Sequence, residues 1–176
     1  SDPTAPVGIY AKSKLAGEEA VRTYAKRALI IRTSWLYSEY GHNFVKTIIK
    51  YGKERGMLKV VADQTGTPTY AGDLAHAILK ILSVKEDLKG VSLYHYSNEG
   101  VASWYDFAVA IIEFTGIPCK IQPITTAEYP LPAPRPWYSV LDKSAIRSTF
   151  GIDIPYWRDS VKYCLERISQ SQDGPS

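Results

Sequence analysis

The sequence predicts an α/β fold with a parallel-type sheet, on three observations. Short apolar runs alternate with helical patterns along the chain. The apolar runs end in stretches rich in polar and aromatic residues, "RTSWLYSEYGHNF", "DQTGTPTY" and "SNEGVASW", placed where open α/β sheets carry ligands. The 176 residues, 45% hydrophobic and 22% charged, match one globular unit large enough to bury a core without disulfides or metals.

The elements follow in order. A helix is predicted over 11–27 and a strand over 28–35, "ALIIRTSW". A second helix opens near His42, and "MLKVVA" at 57–62 reads as a strand before the turn-rich "DQTGTPTYAG". "DLAHAILKILSV" is a helix with Asp73 as its expected N-cap, and "VSLYHYS" at 91–97 alternates as a strand does. Ser103 and Asp106 have capping-box spacing at the head of the next helix, which closes near Gly116. "KIQPI" is extended, and 125–138 is a proline-rich loop. Helices around 143–150 and 156–170 complete the chain, and the last six residues, 171–176, read as a frayed tail.

Composition narrows the function. The net charge of +3 comes from scattered Lys and Arg, which is no footprint for nucleic acid. No apolar run reaches membrane-spanning length, so no membrane partner is expected. Cys119 and Cys164 lie far apart and have no metal or redox spacing, which suits a reducing, cytoplasmic setting. His42, His76 and His95 are scattered, and no metal ligand set is read from the sequence.

Chemistry enters with "GIYAKSKLAGEEA". Tyr10 and Lys14 are four apart, so on a helix they share one face. An ammonium beside a phenol stabilises the phenolate, and a phenol so placed serves as general acid or base. Gly17 and Val21 extend that face; a glycine there costs roughly 1 kcal/mol against alanine and usually answers a close approach. Tyr–Lys pairs at this spacing also arise by chance, so the pair alone does not decide.

The stretches "YAKSKLAGE", "RTSWLYSEYGHNFVKTI", "VVADQTGTPTYAGDLA", "YHYSNEGVASWYDFA" and "PITTAEYPLPAPRPWYSVLDKSAI" lie in order from residue 10 to about residue 146. In them the chain resembles the extended short-chain dehydrogenase/reductases, and within these the dTDP-4-dehydrorhamnose reductase family. The resemblance implies the C-terminal part of a doubly wound Rossmann-like fold with a smaller α/β substrate-binding domain. Residues 1–35 and 57–97 would belong to the Rossmann-like part, 36–56 and 98–170 to the substrate-binding part. It implies an NADPH- (or NADH-) dependent reduction of dTDP-4-dehydro-L-rhamnose to dTDP-L-rhamnose. Tyr10 would donate the proton and Lys14 would hold the nicotinamide ribose, with Thr33 and Ser34 beside the nicotinamide.

The same resemblance places the dTDP-sugar against Trp35, Asn43, Gln64, Thr65, Thr67 and Arg135. Each also has a structural reading. Trp35 could pack at the sheet edge, Asn43 could simply cap its helix, and "DQTGTPT" could be only a turn. Arg135, stiffened by flanking prolines, could fork onto a diphosphate or pair with a surface carboxylate. Some members of the family bind magnesium, which is assigned to no residue of this chain. No glycine-rich strand–turn–helix for a pyrophosphate occurs, and only nine residues precede Tyr10. The expectation is therefore that a front portion on the order of a hundred residues is missing, and that this piece alone binds dinucleotide poorly. Three other readings stay open: a nucleotide-sugar epimerase or dehydratase of the same superfamily, a non-catalytic regulatory subunit, and a substrate domain that pairs with its own copy into a homodimer across an exposed sheet edge.

Overall fold

The computed structural model describes Thr4, Pro6 and residues 8–84, 89–130 and 135–172. Helix α1 (Ile9–Tyr24) leads into strand β1 (Arg27–Arg32), and β2 (Leu36–Tyr37) precedes α2 (Phe44–Glu54). After β3 (Met57–Val61), the short strands β4 (Thr65–Gly66) and β5 (Thr69–Tyr70) run into α3 (Ala71–Val84). Then come β6 (Gly90–His95), β7 (Ala102–Ser103), α4 (Trp104–Thr115) and β8 (Lys120–Ile124). A 3-10 turn (Thr126–Glu128), α5 (Ser144–Phe150) and α6 (Trp157–Gln172) follow. Pro132 and Pro134 of the predicted loop lie outside the described residues, as do 173–176 of the predicted tail; Ser171 and Gln172 belong to α6.

The α/β expectation holds, with parallel pairs β1–β6, β2–β5 and β3–β8. One pair, β4–β7, is antiparallel. Val60 faces Pro123 across the β3–β8 ladder. Two apolar cores result. The larger gathers Val45 and Ile48 of α2, Leu58 and Val60 of β3, Phe107 and Ile111 of α4, and Trp157 and Val161 of α6. The smaller sets Ala77 and Ile81 of α3 and Ile146 and Phe150 of α5 against Leu29 and Ile31 of β1 and Tyr94 of β6. In this packing β3 shares a core with α2, and α5 packs with residues of β1 and β6.

Local signals explain several helix ends. Asn43 caps α2, its side-chain oxygen accepting from the Lys46 amide at 3.3 Å. Ser103 and Asp106 form the predicted capping box, and Gly116 closes α4 in the left-handed region at φ 64°. Asp73 is a correction. The helix α3 begins at Ala71, so Asp73 lies in its first turn; its carboxylate accepts from the Asn98 amide at 2.6 Å and the Ser160 hydroxyl at 2.5 Å. Asn98, fully buried, also accepts from the Tyr70 amide at 2.8 Å, so this polar knot joins β5, α3 and α6.

Candidate active site

Helix α1 buries none of its residues, and Gly8 before it turns the chain at φ 87°. Tyr10, 76% exposed, and Lys14 share a face, with the ammonium 5.4 Å from the ring centroid. Ala11, Leu15, Glu18 and Val21 form its half-buried side, and an ion pair ties it to β1. Glu18 takes both Nε and Nη2 of Arg32 at 2.7 Å each, binding the helix to the carboxyl end of β1. The Arg32 guanidinium hydrogen-bonds the Glu18 carboxyl and thereby holds it below the usual carboxylate range.

Beyond Arg32 the predicted strand stops early. Thr33 is exposed, and the Ser34 hydroxyl donates to the Thr67 carbonyl at 3.0 Å, leaving mainly backbone for a ligand. Trp35 then adopts φ 47°, the sole positive value at a non-glycine among the described residues. For a bulky side chain that conformation costs on the order of 1–3 kcal/mol and must be held by its surroundings. Trp35 lies flat on Trp104, with ring centroids 3.7 Å apart and planes 11° from parallel.

A cleft of about 840 Å³ opens between α2, β3 and the loop after β8. Its apolar wall comes from Phe44, Ile48, Tyr51, Leu58 and Ile124, and its rim carries Arg55, Lys59 and Arg135 against the lone carboxylate of Glu128. Apolar walls with few convergent charges suit a base or sugar face joined to an anion. Arg135, at the surface, stands 5.9 Å over the Trp104 ring, and Arg55 stands 4.6 Å over Tyr51.

Of the residues singled out in the sequence, Asn43, Gln64 and Arg135 line this cleft, and Trp35 meets it through Trp104. Asn43 also serves as the helix cap, so its carbonyl oxygen is engaged and its amide donates to the Ser38 carbonyl at 2.8 Å. Gln64, 4% exposed, donates to the Thr126 hydroxyl at 3.0 Å. Thr65 uses its backbone to hold the proline loop, pairing with Trp137 and Ser139. Thr67 is fully buried and its hydroxyl donates to the Gly100 carbonyl at 2.8 Å, so it is spent on the fold. Tyr10, Lys14 and Thr33 lie outside the cleft lining.

Trp104, Tyr51, Arg55 and Lys59 were not anticipated. Trp104 was within reach of sequence reasoning, because the Ser103–Asp106 box places it at a helix start beyond a strand tip. Elsewhere, burial pushes the Cys164 thiol up to about 12, which leaves it unreactive. Among the described residues, no group of three or more His, Cys, Asp or Glu could hold a metal ion. No helix among them is long and apolar enough to cross a membrane.

Comparison with known proteins follows the same geometry. The chain is 44% identical to the spore coat polysaccharide biosynthesis protein SpsK of Bacillus subtilis, over 98% of this chain and 59% of that protein. It is 42% identical to the dTDP-4-dehydrorhamnose reductase of Aggregatibacter actinomycetemcomitans, over 89% of this chain and 56% of that one. A crystal structure of dTDP-4-dehydrorhamnose reductase from Bacillus anthracis in complex with NADP superposes with a TM-score of 0.86 at 38% identity, covering 94% of this chain and 57% of that one. The chain thus spans a little under 60% of the length of these relatives. The family model described as the RmlD substrate binding domain matches residues 1–170, and this chain belongs to that family.

Proposed function

We propose that this chain carries the proton donor and the sugar-nucleotide cleft of a nicotinamide-dependent reductase that converts dTDP-4-dehydro-L-rhamnose to dTDP-L-rhamnose. The observation that carries the reading is a continuous path. Glu18 and Arg32 bind the Tyr10–Lys14 helix to the end of β1, and the residues that follow lead through Trp35 and Trp104 into a cleft with a cationic rim. The names borne by the relatives supply the substrate.

The residues on the helix tied to β1 and those that follow β1 have the chemistry to hold the nicotinamide end of a dinucleotide. They offer the Tyr10 phenol, the Lys14 ammonium, the Thr33 hydroxyl and the backbone of Ser34. When bound, the reduced nicotinamide supplies the hydride that C4 of the keto sugar accepts. The Tyr10 O–H gives its proton to O4, so the carbonyl becomes an alcohol as the π pair closes on that proton. The phenolate left behind is stabilised by the Lys14 ammonium beside its ring, and Tyr10, open to solvent, regains a proton from water. In the cleft, Arg135 grips the diphosphate while the apolar wall takes the base.

Calorimetric titration with dTDP-L-rhamnose, beside UDP-glucose as the comparison nucleotide sugar, tests this reading. Saturable binding with preference for dTDP-L-rhamnose is expected. Equal affinity for the two, or no binding of either, overturns it.

A further inference from the structure

We infer that Trp104 and Gly66 are positioning residues that together set the indole of Trp35, and with it the preference for a nucleotide carrying a sugar over the bare nucleotide. The inference rests on the sugar-nucleotide reading of the cleft.

Two separate stretches converge on the Trp35 ring. Trp104, the first residue of α4, is held by the Ser103–Asp106 capping box and by its contact with Phe44, whose ring centroid is 4.8 Å away. Its ring centroid lies 3.7 Å from that of Trp35, with the planes 11° apart, so the two indoles stack face to face. On Gly66, in β4, a Cβ would fall 2.6 Å from Oγ of Ser139 and 2.6 and 2.7 Å from Cε2 and Cζ2 of Trp35, distances that no real Cβ tolerates. The backbone of Gly66 is therefore the seat of the indole edge, and a side chain there would unseat it. Gly66 does not need glycine for its own conformation, since its φ lies outside the left-handed region.

This arrangement also explains how Trp35 keeps φ 47°. Its carbonyl accepts from the Thr69 amide at 3.1 Å, and its ring is caught between an indole and a bare stretch of strand. Trp104 has a second task, because the Arg135 guanidinium sits over its ring. One indole thus sets both the aromatic surface offered to a sugar and the cation offered to a diphosphate. Gly66 bears on the first through Trp35, and it also touches the segment after Arg135 through Ser139.

The experiment measures the dissociation constants of dTDP-L-rhamnose and dTDP, taking that of dTDP divided by that of dTDP-L-rhamnose as the measure of sugar recognition. For Gly66→Ala the ratio is expected to fall about tenfold, dTDP-L-rhamnose losing more affinity than dTDP. Trp104→Leu should lower the ratio and weaken dTDP as well, through Arg135. Trp104→Phe, which preserves most of the packing volume, should restore dTDP binding more than the ratio. In the Trp35→Ala background, Gly66→Ala should leave the ratio unchanged; a further fall would assign the effect to Ser139 and overturn the role of Gly66. Circular dichroism of the free chain gives a readout without nucleotide: the exciton couplet of stacked indoles should be present in the wild type, absent in Trp104→Phe and diminished in Gly66→Ala. A wild-type ratio in Gly66→Ala with nucleotide binding intact overturns the positioning role. Failure of the wild type to bind either nucleotide overturns the sugar-nucleotide reading and this inference with it.

Discussion

The helix that carries Tyr10 and the cleft that carries Arg135 are built in opposite ways. Helix α1 buries none of its residues and is tied to β1 by the bidentate Glu18–Arg32 pair. The cleft is walled by α2, β3 and α4, whose inner faces form the larger core with Phe107 and Ile111 fully buried. The residue proposed as proton donor thus stands where substitutions touch little packing, while the cleft is built on faces where they touch much. Turnover and stability should separate accordingly.

The largest effect expected is on turnover alone. In the polypeptide that carries this chain, Tyr10→Phe should lower the rate of keto-sugar reduction by at least about 10²-fold, the low end for loss of a general acid. Its thermal midpoint should stay that of the wild type, because the side chain is largely exposed; a shifted midpoint would erase the contrast. Phe107→Ala tests the other side. It should cost about 3–5 kcal/mol in urea-induced unfolding, as for a fully buried aromatic ring.

Arg135→Ala sharpens the comparison, since the side chain stands at the cleft yet is exposed. It should weaken dTDP-L-rhamnose roughly ten- to a hundredfold, the range for hydrogen bonds to charged groups, with nicotinamide dinucleotide affinity and stability unchanged. Equal weakening of both ligands would remove Arg135 from the diphosphate.

The smallest effect concerns the tie itself. Glu18→Gln should cost about 0.5–1 kcal/mol near neutral pH, as for a partly exposed pair. The Glu18 carboxyl titrates below its unfolded value because of Arg32, so the unfolded chain binds more protons through that window. The stabilisation is therefore complete above the unfolded value and disappears as pH falls through the folded one. Unfolding followed from pH 7 to pH 3 should show Glu18→Gln converging on the wild type at the acid end. A constant gap would mean that the pair does not act through its charge.

What was legible in the sequence is what neighbours in the chain decide. Asn43, the Ser103–Asp106 box and Gly116 act over three or four residues, and each sits where it was expected. Asp73 reads as a cap by the same local rule, but its partners Asn98 and Ser160 are distant in sequence and claim its carboxylate. Strands β2, β4, β5 and β7 have two residues each, too short for alternation to register. The site was legible as residue types rather than as contacts. "TSW" and "SWYDF" are each visible, but nothing in either says that the two indoles stack, or that Thr67 turns inward while Gln64 reaches the cleft.

Pro123 in β8 has a consequence for how the molecule meets its own kind. The amide of Lys120 and the carbonyl of Ile124 bond toward β3, so by alternation residue 123 turns its backbone to the outside. A proline there has no hydrogen to give. An intruding chain that tried to extend this ladder would find the middle rung missing, and crowded protein is steered away from stacking on that flank.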